Sequence, residues 1–299
     1  MDCRRPRMKR WRIEIALGVG LAACQGAPSA PELVDIEITA LEWIADTADP
    51  VAHLTTHPST CVTAPEDPAV GRGALLFASP MLLGGQAAKA GLSCAACHRN
   101  GRGNEAFAFS GISGAPGTAD VTHGLFSKIR ADGVFNPVAI PDLARPEGHV
   151  IVDRDAPGAL EAFLSAQVVE EFSGTALDQA VISDLATYIR ALDERVCDPD
   201  ATEVHTWQSE IKLVRAGLSA DPQRIAAYED AMRAALGRIH ERFPGDFDIR
   251  ADLVSLSRMI KADIDRATIE AALDEVSNAL ASAAADSLYD PERLAAALR

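Results

Sequence analysis

Cys94-Ala95-Ala96-Cys97-His98 is the segment whose residue types and spacing can do chemistry. Two cysteines three positions apart fall on one helical turn, so both sulfurs can reach the two vinyl groups of one porphyrin as thioethers. The adjacent histidine then offers a ring nitrogen to the iron. Two other chemistries use paired cysteines. A redox dithiol belongs with a βαβ pattern, and none is visible here. Structural zinc needs a second pair of ligands, and Cys61 and Cys197 lack any paired spacing. The expected cofactor is therefore a single covalent haem c, attached through Cys94 and Cys97, with His98 as the proximal iron ligand.

Covalent haem demands export, and the first residues supply an address independently. Arg4, Arg5, Arg7, Lys9, Arg10 and Arg12 precede an apolar run from Ile13 to Ala23 that only Glu14 interrupts. That order is expected of a secretory signal peptide. The run is shorter than the roughly 20 residues that span a bilayer. It ends in Leu21-Ala22-Ala23-Cys24, which resembles the lipobox of bacterial lipoproteins. The resemblance implies cleavage before Cys24, lipidation of its sulfur and a membrane anchor, with Gln25 favouring the outer membrane. The alternative is a soluble periplasmic protein cut near Ala27 or Ala30. Cys3 leaves with the leader, and Cys61 and Cys197 remain on either side of the haem motif. In an oxidising compartment that pair reads as a disulfide.

Composition bounds the rest. The 299 residues carry 28 Lys+Arg against 43 Asp+Glu, for a formal net charge of -15. Removal of the basic leader makes the remainder more acidic still, which argues against nucleic acid as a partner. Hydrophobic residues at 48% and charged residues at 24% are an ordinary globular mixture, and the low aromatic content of 5% suits helices.

The flanks of the motif resemble a family. Residues 70–98, VGRGALLFASPMLLGGQAAKAGLSCAACH, are similar to the stretch preceding the haem in bacterial di-haem cytochrome c peroxidases. Residues 160–192, from Leu160 to Leu192, resemble the closing helix of cytochrome c domains. There Val181, Leu185, Tyr188 and Leu192 form one apolar stripe. The resemblance implies a crossing in which Gly71, Gly73 and Phe77 face Tyr188. It covers residues 67–198 and one lobe only, and the chain has one C-x-x-C-H where the family enzymes need two haems. A mono-haem domain from that branch is what remains.

The predicted organisation is mainly α: a signal peptide over 1–23, a lipidated N-terminal tether over 24–66, a cytochrome c-like haem domain over 67–198 and a helical domain over 199–299. Within the tether, a short ordered piece is expected around Ile36 to Ile44. Asp221-Pro222 is a helix start. Ile225, Tyr228, Met232, Leu236, Ile239 and Phe243 recur at helical spacing, followed by stripes at Leu253, Leu256, Ile260 and Ile264 and at Ile269, Leu273, Val276 and Leu280. These read as a bundle of about four helices. His205 and His240 stand alone there, so no metal site is expected.

The sixth iron ligand separates an electron carrier from an enzyme. No methionine lies between His98 and Cys197. His123, in the Gly- and Pro-rich stretch 115–144, is the favoured distal ligand, with Met81, His149, His53, His57 and an open position as alternatives. An open position would permit peroxidase-like activity if Glu105 served as general acid/base. Arg130 and Arg145 are expected on haem propionates. The reading is a periplasmic c-type cytochrome passing single electrons to a redox protein partner. The alternatives are a peroxidase-like haem enzyme and a haem-bearing subunit docked through its C-terminal bundle.

Overall fold

The computed structural model describes residues 11–14, 33–145, 152–198, 200–220, 226–262 and 264–299. Apart from 11–14, the predicted signal peptide lies outside them, as do Cys24, His149 and Asp221-Pro222. Among the described residues, three two-stranded antiparallel ladders accompany a mainly helical structure. In chain order the elements begin with β1 (Trp11–Glu14), β2 (Leu33–Ile36), α1 (Pro50–Thr55), β3 (Thr56–Pro58), α2 (Pro68–Phe77), α3 (Pro80–Leu83), α4 (Gly85–Lys89) and α5 (Cys94–Cys97). Next come β4 (Thr118–Ala119), β5 (Val138–Ala139), α6 (Ala159–Ala166), α7 (Gln179–Ala191) and β6 (Thr202–Val204). The last are α8 (Trp207–Leu218), α9 (Ala226–Glu241), α10 (Phe247–Lys261), α11 (Arg266–Ala283) and α12 (Pro291–Ala297). The ladders pair β1 with β2, β3 with β6 and β4 with β5.

Aspartates start many of these helices. Asp49, Asp67 and Asp290 each accept backbone N–H bonds from the first turn, with proline at the first helical position behind them. Asp178, Asp246 and Asp265 cap α7, α10 and α11 in the same way.

The crossing of α2 and α7 is the most extensive helix contact. It is close because Gly73 has no side chain. A Cβ there would stand 2.2 Å from the Asp184 carbonyl oxygen and 2.5 Å from the Tyr188 Cβ. Val181, Leu185, Tyr188 and Leu192 are all buried, and the Phe77 and Tyr188 rings meet with centroids 5.3 Å apart. Gly71 departs from the expected crossing. It faces Ala216 of α8 rather than Tyr188. A polar bolt lies beside the contact, in which Arg72 Nε and Nη2 donate to the Asp184 carboxylate at 2.5 and 2.9 Å. The Tyr228 hydroxyl from α9 donates to the same carboxylate at 2.5 Å.

Two expectations about domain organisation need correction. The segment expected as a tether is built into the fold from Ile36 onward. Ile36, Ile38 and Leu54 are buried together with Leu288, Leu294, Ala297 and Leu298, so the N-terminal segment packs on α12. Trp43 and Cys61 belong to the main core. The expected ordered piece is a 3-10 helix, Thr39–Trp43. The second correction concerns residues 198–199, where the sequence pattern changes but the core does not break. One apolar cluster contains Leu75, Leu76, Val181 and Leu185 as well as Ile211, Leu236, Leu253 and Leu273, because α2 packs on α8 and α9 with the side α7 leaves free. Most of the C-terminal stripe residues are buried on α9, α10 and α11, with Phe243 buried just past α9; Ile264 is half-buried beyond the end of α10, and Ile225 lies outside the described residues.

Candidate functional site

α5 is a single turn, closed by the His98 N–H donating to the Cys94 carbonyl at 2.8 Å. Asn104 Nδ2 donates to the Ala96 carbonyl at 2.8 Å and holds the turn from the other side. Both cysteines are free thiols. Burial pushes each of them up to about 12, so the sulfurs stay protonated at neutral pH. A dithiol redox centre needs the opposite, a thiol whose pKa is lowered.

His98 is held in the tautomer a metal requires. Its Nδ1 lies 3.0 Å from the carbonyl oxygen of Pro141. A carbonyl only accepts, so Nδ1 carries the proton and Nε2 keeps its lone pair. Desolvation lowers the ring to about 4, which keeps it neutral. The Phe77 ring stands against it with centroids 6.3 Å apart. Two residues past His98 the chain reverses. Asn100 and Gly101 both adopt positive φ, and a Cβ on Gly101 would meet Leu192 at 2.5 Å. The reversal is stapled to the N-terminal segment. Arg99 Nη2 donates to the His53 and Thr56 carbonyls at 2.7 and 2.6 Å, and Asn100 Nδ2 donates to the Pro58 carbonyl at 2.9 Å.

The donor set therefore fits a c-type haem. It offers two neutral thiols on one turn and one neutral imidazole with its outer nitrogen already committed. The remaining candidates are distributed differently from expectation. His123 Nδ1 accepts the Leu125 N–H at 3.1 Å, so its Nε2 carries the proton and is a donor, the wrong form for ligation as it stands. His123 lines a cavity of about 320 Å³ together with Gly124, Ala131, Gly133, Val134 and Phe135 of its own loop. Met81 is exposed on α3. His57 is stacked on His205 with centroids 4.3 Å apart, and His205 Nε2 lies 3.5 Å from Glu210. His53 and His57 are thus members of a buried polar cluster that joins β3 to α8. Desolvation lowers His53 to about 3 and His205 to about 3, and takes His57 well below the ordinary value.

Arg130 and Arg145 are engaged by protein carboxylates. Arg130 pairs with Glu170 and Glu171 at 2.8 and 2.6 Å, and Arg145 with Glu194 at 3.1 Å. These are the carboxylates the two guanidinium groups meet within the chain, Arg145 through its Nε alone. Glu105 is exposed. Cys61 and Cys197 are bonded, with Cα atoms 5.2 Å apart, as the leftover pair implies. Sequence reasoning missed Pro141, whose role rests on a carbonyl and leaves no side-chain signature. Arg102 and Asp142, which hold that carbonyl's strap, were missed as well. Among the described residues no group of three or more His, Cys, Asp or Glu is placed to hold a metal by itself.

No family model matches the chain, and neither curated proteins nor solved structures yield a match.

Proposed function

We propose that this chain is a mono-haem c-type cytochrome that passes single electrons on the periplasmic side of the cell envelope, tethered by a lipid on Cys24. The observation that carries the reading is the His98–Pro141 bond. It commits one imidazole nitrogen and leaves the other for iron, one residue after a turn bearing two free thiols. Haem, once attached, supplies a one-electron iron couple, and the protein supplies everything that holds it. Cys94 and Cys97 provide the thioether sulfurs. His98 provides the axial nitrogen, Pro141 its orientation, and Phe77 an apolar wall beside the ring. Leu125, Ile129, Val134, Phe135 and Val138, in the stretch that leads into Ile140 and Pro141, are each exposed.

No helix among the described residues is long and apolar enough to cross a membrane, so membrane attachment in this proposal rests on the lipid alone. The peroxidase-like alternative gains nothing from Glu105, which faces solvent. The electron partner is a second redox protein.

The test is to export the full chain through a c-type haem maturation pathway and extract the denatured product with acid acetone. Pigment that stays with the polypeptide, and is lost in Cys94→Ser/Cys97→Ser, is the expected result. Pigment that leaves freely, or none at all, sinks the proposal.

A further inference from the structure

We infer that Arg102 is a positioning residue for His98, acting through the strap 140–144 and braced on the Cys61–Cys197 bridge. This rests on the haem reading for its redox consequence but not for its geometry. The carbonyl that accepts from His98 belongs to Pro141, and the peptide plane it lies in continues into Asp142. Whatever fixes Asp142 therefore fixes the direction of that oxygen. Arg102 Nε donates to both Asp142 oxygens at 2.9 and 2.7 Å, and its side chain is only 5% exposed. Its Nη1 rests against Cys61 Sγ at 2.9 Å and Cys197 Sγ at 3.8 Å. The guanidinium is wedged between the strap and the disulfide, and cannot rotate away from Asp142 without leaving the sulfurs.

Lesser contacts complete the strap. Asp142 Oδ1 accepts from the Ala144 N–H at 2.9 Å, and the Leu143 N–H donates to the Gly101 carbonyl at 3.0 Å. Arg145 approaches Asp142 at 3.7 Å from a far more exposed position. Arg102 is thus the buried charged partner of the carboxylate. A charge-assisted contact, here one N–H shared between two carboxylate oxygens, resists reorientation better than a neutral bond does.

A histidine whose outer N–H is held by an acceptor is a stronger donor through its other nitrogen, which favours the oxidised metal. Loosening the strap should weaken that donation and raise the midpoint potential. Simple electrostatics predicts otherwise. Removing a buried positive charge stabilises the oxidised state and lowers the potential, while Arg102→Lys keeps the charge and should change nothing.

The experiment compares Arg102→Lys, Arg102→Gln and Cys61→Ser/Cys197→Ser in the full chain. In the pigmented protein both Arg102 variants are expected to raise the midpoint potential. The expected size is at least a threefold change in the reduced-to-oxidised ratio, where tenfold is 59 mV for a one-electron couple. The cysteine variant is expected to move the same way by less. Unchanged potential in Arg102→Lys, or a fall in Arg102→Gln, overturns the inference. A second readout needs no haem. Solvent exchange of the His98 Nδ1–H, followed by ¹⁵N NMR on the purified chain whether pigmented or not, is expected to quicken at least tenfold in Arg102→Lys. Equal exchange in wild type and variant refutes the positioning role. A colourless wild-type chain whose exchange still responds refutes the haem proposal alone.

Discussion

Gly73→Ala tests the crossing of α2 and α7, the first of which sets Phe77 against His98. The added methyl would stand 2.2 Å from a backbone oxygen, against 3.4 Å for ordinary contact, so the helices must part by about 1.2 Å. The obstacle is main chain and cannot rotate aside, which places the cost near the upper part of the about 1–3 kcal/mol range for overpacking. Alanine's better helix propensity returns up to about 1 kcal/mol. The net loss is about 2 kcal/mol, or about 4–8 °C in thermal midpoint for a domain of this general size. Gly237→Ala is the matched control. It sits in α9 with nothing within 4 Å of its added Cβ, and should gain about 0.5–1 kcal/mol. Thermal unfolding followed by far-UV circular dichroism reads both. If Gly73→Ala unfolds at or above the wild-type temperature while Gly237→Ala behaves as stated, the close approach at the crossing is not what the geometry says.

Removing the Asp184 carboxylate with Asp184→Ala leaves Arg72 and Tyr228 without their acceptor and should cost about 1.5–3 kcal/mol in urea denaturation; Tyr228→Phe should cost less, and equal losses would argue against a shared acceptor. Cys61→Ser/Cys197→Ser opens a link spanning 136 positions, worth about 4–5 kcal/mol in the chain-entropy model, and a thermal midpoint unchanged by the double substitution would refute it. His53 and His205 are held neutral near pKa 3, below their ordinary 6.5, so the unfolded chain binds protons that the folded one refuses. Stability is then full above about pH 6.5 and falls as pH drops towards 3, by about 2 kcal/mol for each ring at pH 5. His205→Gln should flatten that fall, and a wild-type profile level from pH 7 to 4.5 would contradict it. His123→Ala should leave the Soret band of the pigmented protein where it was, since the ring is in its donor form; a displaced band would restore His123 as a ligand.

Much of the helical layout was legible because apolar spacing is a local property. Tyr228, Met232, Leu236 and Ile239 repeat every three or four residues and are buried as one face of α9. Asp-Pro pairs also mark helix starts at Asp49, Asp67 and Asp290, which sequence reasoning did not single out. Residues 36–66 misled, since their prolines and threonines look like a linker. Their apolar side chains gain partners far along the chain, Ile36, Ile38 and Leu54 from Leu288 and α12 more than 200 positions away and Trp43 and Cys61 from the main core, and no window of sequence contains those contacts. At the site, Cys94, Cys97 and His98 announce themselves by spacing. Pro141 does not, since any residue carries a carbonyl and only the folded strap aims this one. Arg130 and Arg145 show the converse case. Their charge was legible, but which anion they would meet depended on where Glu170, Glu171 and Glu194 came to rest.

α2 serves two neighbours, with α7 on one side and α8 and α9 on the other. A chain made from its N-terminus would complete the first of these contacts well before the second pair of helices had arrived. For that interval Leu75 and its neighbours would stay wet on one flank, and the nascent half would behave as an adhesive surface needing an escort. A truncation after residue 198 makes that interval permanent, so such a fragment should precipitate rather than report on what the last hundred residues do.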